Sequence, residues 1–284
     1  MKIGIIGGSG LYEMAGLQET EKVKVDTPFG SPSDEFILGR LQGASVVFLP
    51  RHGRGHKILP SELNYRANIY AMKKLGVERI ISVSAVGSLK EQINPKEFLL
   101  PDQFVDRTNQ SRQTTFFGQG IVAHTAFAEP VCPELVKILL QAAQEAKIPI
   151  HPKGTYLNME GPAFSTRAES NLYRSWGMDV IGMTNMPEAR LCREAEICYA
   201  TLAMITDYDC WYISAETVSA DLIVQNIKAN TENAKKLLNL AIAKITETRG
   251  CACPHALKNA IVTAPQAITP QVKKRLDIII GKYI

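Results

Sequence analysis

Several short apolar runs in this chain stop abruptly at clusters of glycine, small hydroxyl residues or charge. Residues 2–6 run into Gly7-Gly8-Ser9-Gly10, residues 45–49 into Arg51-His52-Gly53-Arg54-Gly55-His56, and residues 79–85 into Ser84-Ala85-Val86-Gly87-Ser88. The run 179–182 meets Met183-Thr184, and 197–206 meets Asp207-Tyr208-Asp209. Helical patterns fall between these runs. Residues 61–75 carry apolar positions at Leu63, Ala67, Tyr70 and Leu75, with Ser61 as the expected N-cap and Gly76 as the stop. Further helices are expected at Pro133–Lys147, Thr166–Trp176 and about 220–245. Residues 36–41 and 45–49 read as a hairpin-like strand pair, and 153–159 as another strand. Strands alternating with helices predict an α/β fold, a three-layer α/β/α sandwich around a mixed, partly parallel central sheet. Ligands of such sheets gather where loops leave the carboxyl ends of strands.

At 284 residues with 45% hydrophobic side chains the chain is long enough to bury a large core. Residues 1–245 are expected to form the main domain. Residues 246–284, beginning with a polar Cys-containing link and broken by Pro265 and Pro270, read as a helical tail with no second core of its own. A net charge of +4 without a long basic run argues against nucleic acid. No run of 18 or more apolar residues predicts a membrane span, and the N-terminal apolar run is too short for a signal peptide, so a cytoplasmic protein is expected. The six cysteines, at 132, 192, 198, 210, 251 and 253, include no C-x-x-C pair. Two readings of them stay open: buried free thiols, or intrachain disulfides that involve Cys251, Cys253 and some of the other four.

Each loop has an ordinary reading beside a chemical one. Gly7-Gly8-Ser9-Gly10 is either a tight turn or an anion cradle. It fails the dinucleotide fingerprint, because Glu13 stands where the third glycine belongs, and it lacks the Gly-Lys-Ser/Thr ending of a P-loop. Arg51 and His52 can grip phosphate oxygens or form a solvated basic loop. His52 and His56 have zinc-ligand spacing only on a helix, which Gly53 and Gly55 oppose, so no metal site is expected. Asp207 and Asp209 either cap the next segment or form a coupled pair, in which desolvation raises one pKa and keeps a proton available near neutral pH.

Taken in order, GIIGGSGLY (4–12), VDTPFGSPSD (25–34), PRHGRGH (50–56), NYRANIYA (64–71), SAVGSL (84–89), DQFVDRT (102–108), EGPAFSTRAES (160–170), MTNMPE (183–188) and TDYDCW (206–211) resemble the trimeric nucleoside phosphorylases, in their methylthioadenosine phosphorylase branch. The likeness runs from about residue 2 to 245. It implies a pentosyltransferase that uses inorganic phosphate as co-substrate and needs no metal or organic cofactor. By this resemblance phosphate is held by Ser9, Arg51, His52, Ser84, Ala85 and Thr184. Met183 lies against the ribose, Phe164 faces the purine, and Asp207 and Asp209 address its N7 and 6-amino edge. His124 reaches the 5' end of the substrate from a neighbouring subunit, which implies a homotrimer or a dimer of trimers. Ser165 stands where 6-oxopurine relatives carry glutamate, and Asp207 where they carry asparagine, which favours adenine. Ala220, with Val218 and Ile223, is expected to favour an apolar methylthio group. The competing readings are a 6-oxopurine nucleoside or methylthioinosine phosphorylase, and a non-catalytic purine-binding protein on the same scaffold.

Overall fold

The computed structural model describes residues 1–8, 11, 13–109, 111–212 and 220–284, and for 220–224 only the helical backbone. Strands β1 (Lys2–Gly7), β2 (Gln18–Val23), β3 (Phe36–Leu41) and β4 (Ala44–Pro50) precede helix α1 (Tyr65–Lys74). Strands β5 (Val77–Ser88), β6 (Phe98–Leu99) and β7 (Gln103–Arg107) lead to α2 (Pro133–Ala146). Then follow β8 (Ile150–His151), β9 (Thr155–Met159), α3 (Arg167–Ser175), β10 (Val180–Gly182), α4 (Asn185–Glu194), β11 (Cys198–Tyr208) and α5 (Ala220–Lys244). The tail holds two 3-10 turns and the short helices α6 (Pro270–Arg275) and α7 (Asp277–Ile280).

All described strands join one mixed sheet, in the order β2-β3-β4-β1-β5-β10-β9-β7, with β11, β6 and β8 branching from β5. Each face of it is covered by helices because the strands alternate two apolar sets. Ile3, Ile5, Ile81, Val83, Ala200 and Leu202 pack under α2 and α5. Ile6, Ile80 and Tyr199 point the other way, under α1 and α4. That second core also takes in Leu257, Ile268, Val272, Leu276 and Ile280 from the tail. The expected three-layer α/β/α architecture is the one observed.

Long β5 sets the position of the site. On one edge its first half pairs with β1 as far as Ser82, and its last residues, Gly87 and Ser88, pair with β10. Between those partners no described strand lies on that edge at Val83–Val86, while the opposite edge pairs with β11 along its length. The sheet is therefore split, and the split opens at the carboxyl ends of β1, β4, β10 and β11. The segment Ser84–Ser88, read from sequence as a strand end turning into a loop, is strand throughout; its edge is bare as far as Val86, in the gap between β1 and β10.

Other local expectations are refined. Asn64, rather than Ser61, caps α1, its side chain accepting from the Ala67 amide; Leu59–Glu62 is still a turn. Thr166 caps α3 in a reciprocal box with Glu169. Pro270 begins α6 instead of breaking a helix. Asp207 is within β11, which continues to Tyr208. No two of the six cysteines are disulfide-bonded in this structure. No described helix is long and apolar enough to cross a membrane.

Candidate active site

A cavity of about 660 Å³ occupies the split in the sheet. Its size suits a nucleoside-sized ligand. One end is lined by Gly8, Arg51, His52, Ser84, Ala85 and Thr184, the other by Phe164, Asp207 and Asp209, with Met204 on the wall beside Ala85. Met183 lies between, and Ile227 and Thr231 of α5 close one side.

Arg51 follows directly on β4, and its backbone amide donates to Gly7 O at 2.9 Å, so two strand ends are tied together there. Its guanidinium is buried and donates from Nε to Glu188 Oε2 at 2.9 Å and from Nη2 to Glu188 Oε1 at 3.2 Å. Further bonds run from Nη1 to Val83 O and from Nη2 to Ser82 Oγ. Burial opposes the charge, but the Glu188 carboxylate outweighs it and the Arg51 pKa is raised. Arg51 is thus a fixed cation beside the cavity, with one Nη1 hydrogen left over from this set of bonds.

His52 behaves differently from a simple anion-gripping imidazolium. Burial, then the Arg51 charge, lower its pKa to about 4. The ring is therefore neutral at pH 7. Its Nδ1 lies 2.9 Å from Ile58 O, an acceptor only, so Nδ1 carries the proton and Nε2 presents a lone pair. That lone pair can accept a hydrogen bond from a protonated phosphate oxygen. His56 stacks on the same ring at 4.4 Å.

Three hydroxyls meet across the split. Ser84 Oγ is 3.2 Å from Tyr156 Oη and 3.3 Å from Thr184 Oγ1. Gly182 makes this possible: a β-carbon there would run into the Tyr156 hydroxyl. Thr184 precedes α4, and the Met183–Met186 segment is pinned by Arg112, whose Nη1 donates to Met183 O at 2.7 Å and Met186 O at 2.8 Å. Glu160 in turn holds Arg112 at 2.9 Å.

At the other end, an irregularity in β11 between Ile205 and Asp207 re-aims the strand, and Asp207 falls opposite Gly87. Asn226 and Asn230, four residues apart on α5, donate to the carbonyls of Thr206 and Ile205 and fix the helix to this strand end. Asp207 Oδ1 accepts from the Thr206 hydroxyl at 2.6 Å. Burial raises the Asp207 pKa to about 6; the Thr206 bond pulls it down and the Asp209 charge pushes it further up. Burial also raises Asp209, with the Ser170 hydroxyl, the Cys210 amide and the Ser165 hydroxyl pulling it partway back. One Asp209 oxygen, Oδ2, is buried with no hydrogen-bond partner among the described residues.

Of the residues singled out from sequence, Arg51, His52, Ser84, Ala85, Phe164, Met183, Thr184, Asp207 and Asp209 line the one cavity. Phe164 sits at its rim, 75% exposed. Ser165 is not on the cavity wall; its hydroxyl lies 3.8 Å from Met159 Sδ. His124 is exposed on a segment joined to the tail through Ala260 O, and it does not line the cavity of its own chain. Ser9, Val218 and the side chains of Ala220 and Ile223 lie outside the described residues. Sequence reasoning missed Glu188, Arg112, Tyr156 and the two α5 asparagines as supports. Glu188 stood within the MTNMPE segment; the others carried no local signal.

Known proteins match this arrangement along the whole chain. The profile of the phosphorylase superfamily matches residues 2–243. An S-methyl-5'-thioadenosine phosphorylase of Geobacter sulfurreducens is 61% identical over 282 residues, covering 99% of both chains. One from Koribacter versatilis is 57% identical, covering 99% of this chain and 96% of its own. The crystal structure of a methylthioadenosine phosphorylase from an antarctic soil metagenomic library superposes with a TM-score of 0.94 at 51% identity, covering 98% of each chain. A Schistosoma mansoni adenosine/methylthioadenosine phosphorylase variant in complex with methylthioadenosine superposes at 0.81 and 36% identity, over 91% of this chain and 96% of its own. With a phosphorylase profile spanning both ends of the cavity and relatives this similar over their full length, the chain belongs to the S-methyl-5'-thioadenosine phosphorylase family of the phosphorylase superfamily.

Proposed function

We propose that this chain is a pentosyltransferase that cleaves S-methyl-5'-thioadenosine with inorganic phosphate, giving adenine and 5-methylthio-α-D-ribose 1-phosphate. The observation that carries the reading is the polarity of the cavity: a fixed cation and a hydroxyl cluster at one end, a desolvated acid at the other. Phosphate sits between Arg51, His52, Ser84, the bare β5 edge at Ala85 and Thr184, and the family resemblance adds Ser9 to this set. The adenine end meets Asp207 and Asp209, and Phe164 lies against the base. As the N-glycosidic bond stretches, C1' gains oxocarbenium character and phosphate attacks from the opposite face with inversion. Asp207 delivers or shares its proton at N7, so adenine leaves neutral. The unpartnered Asp209 oxygen suits the donor hydrogens of an exocyclic amine, which favours a 6-aminopurine over a 6-oxopurine. Holding both reactants in line is worth about 7–11 kcal/mol in well-oriented pairs, and neither step calls for a metal or organic cofactor.

In this reading His124, which does not line its own cavity, serves the 5' end of a neighbouring copy's substrate, and the working unit is a homotrimer, alone or doubled. The six unbonded cysteines suit a reducing cytoplasm. The test is adenine release from methylthioadenosine by purified protein, with and without phosphate. Release that requires phosphate and yields the sugar 1-phosphate is expected. Rapid release without phosphate refutes phosphorolysis in favour of hydrolysis, and binding without turnover leaves the non-catalytic purine-binding reading. Parallel assays with inosine and methylthioinosine separate the 6-oxopurine alternative.

A further inference from the structure

Four of the six cysteines converge at a single point far along the fold from the catalytic cavity. Cys132 is the residue before Pro133 at the start of α2, Cys198 opens β11, and Cys251 and Cys253 belong to the link that follows α5. Their four Sγ atoms all lie within 4.8 Å of one another, with Cys198 and Cys251 at 3.4 Å. Cys132, Cys198 and Cys253 are buried and Cys251 is half-buried. None of the four lines the active-site cavity. Among the described residues this is the one group of three or more potential metal donors of this kind.

We propose that Cys132, Cys198, Cys251 and Cys253 form a structural zinc site that fastens the C-terminal tail to the body of the enzyme. Four thiolates about 2.3 Å from a tetrahedral zinc stand about 3.8 Å apart, a spacing compatible with the observed cluster. A disulfide instead brings its sulfurs to about 2.0 Å in two exclusive pairs, which a four-way cluster does not resemble. Four thiols packed only on each other are weak donors to weak acceptors, whereas a cation uses all four sulfurs at once. The surroundings suit the charge of a tetrathiolate centre. Cys132 caps α2 without a side-chain hydrogen bond to the helix, so its sulfur stands at the positive end of a 14-residue helix. Buried Arg79 is register partner to Cys198 across the β5–β11 ladder, and it donates to Thr248 O, just upstream of Cys251. Arg249 donates to Glu196 O, just upstream of Cys198.

Binding is redox-neutral: four S–H protons leave to solvent as four Zn–S bonds form. The three contributing segments are far apart in sequence, so metal binding is linked to the folding of the tail against α2 and β11. Because the tail supplies Leu257, Val272, Leu276 and Ile280 to the core over α1 and α4, loss of the metal should be felt across the sheet.

The test uses the full-length protein, purified without chelator and under reducing conditions. Elemental analysis is expected to find about one zinc per chain, and protein stripped with a thiol reagent, then reduced, should take up Co²⁺ with the intense sulfur-to-metal charge-transfer band and visible bands of a tetrahedral thiolate site. Cys198→Ser and Cys251→Ser should lose the metal, while Cys192→Ser and Cys210→Ser keep it. Absence of zinc combined with no thiolate bands on Co²⁺ addition overturns the proposal. So does mass spectrometry showing disulfides among the four in protein prepared without air. Should the serine variants fail to fold, the metal content and Co²⁺ spectrum of the parent protein still decide.

Discussion

Replacing Asp207 by asparagine separates the chemistry of this site from its folding. In the parent, burial moves the Asp207 pKa from an ordinary 3.8 to about 6. Such a displacement corresponds to a penalty of about 3 kcal/mol against the charged form. The sign follows from proton counting: between pH 3.8 and about 6 the folded state holds a proton that the unfolded state has released, so stability falls as pH rises through that window. Above it the penalty is fully present. The introduced amide cannot ionise, so Asp207→Asn should unfold at the same or a higher temperature than the parent at pH 8. Its kcat on methylthioadenosine should nevertheless fall by roughly 10²–10⁴-fold, the usual worth of general acid catalysis. In the parent, kcat/KM should decline as pH rises past about 6, and that part of the profile should be missing in the variant. Activity toward a 6-oxopurine nucleoside should fall less, because an amide can donate to the 6-oxo group. Steady-state assays with thermal unfolding at matched pH measure all of this. A folded Asp207→Asn variant with near-normal kcat on methylthioadenosine would refute the reasoning and pass the acid role to Asp209.

Three other outcomes are expected. Methylthioadenosine should exceed adenosine in kcat/KM, because the apolar wall expected from the sequence at Val218, Ala220 and Ile223 would gain about 0.8 kcal/mol per buried CH₂-sized group, or roughly fourfold; equal values would remove that expectation. Glu188→Gln leaves the buried Arg51 charge without its carboxylate, which typically costs about 3–5 kcal/mol; the melting temperature should drop and KM for phosphate rise, and an unchanged melting curve would count against Glu188 as the Arg51 anchor. Burial raises the Glu194 pKa from 4.5 to about 7, despite bonds from Thr115 and Phe116 that lower it. Thermal stability should therefore decline as pH rises from 4.5 through about 7, and Glu194→Gln should flatten that slope; equal slopes in both proteins would show that another group titrates there.

Much of the site was legible because its chemistry is local. Arg51 and His52 follow an apolar strand directly, Ser84 and Thr184 end apolar runs, and Asp207 and Asp209 sit together where desolvation must raise a carboxyl pKa. Strand and helix periods are equally local, which is why the layered architecture could be read in advance. The sequence alone also carried enough ordered motifs to indicate a phosphorylase.

Tertiary structure decided what depends on partners remote in the chain. Ser84–Ser88 looks like a turn in sequence, yet it is strand; the opening belongs to β1 and β10, which leave its edge bare at Val83–Val86. His52 has the composition of a cation, but burial and Arg51 keep it neutral. Glu188 is 137 residues from Arg51, and Arg112 lies 71 residues from the Met183 carbonyl it holds. The four clustered cysteines come from three separate segments, so no C-x-x-C spacing announces them. Spacing along a chain specifies which face of a helix or strand a side chain occupies. Which distant charge or sulfur it meets there is fixed only when the sheet and its two helical layers close around it.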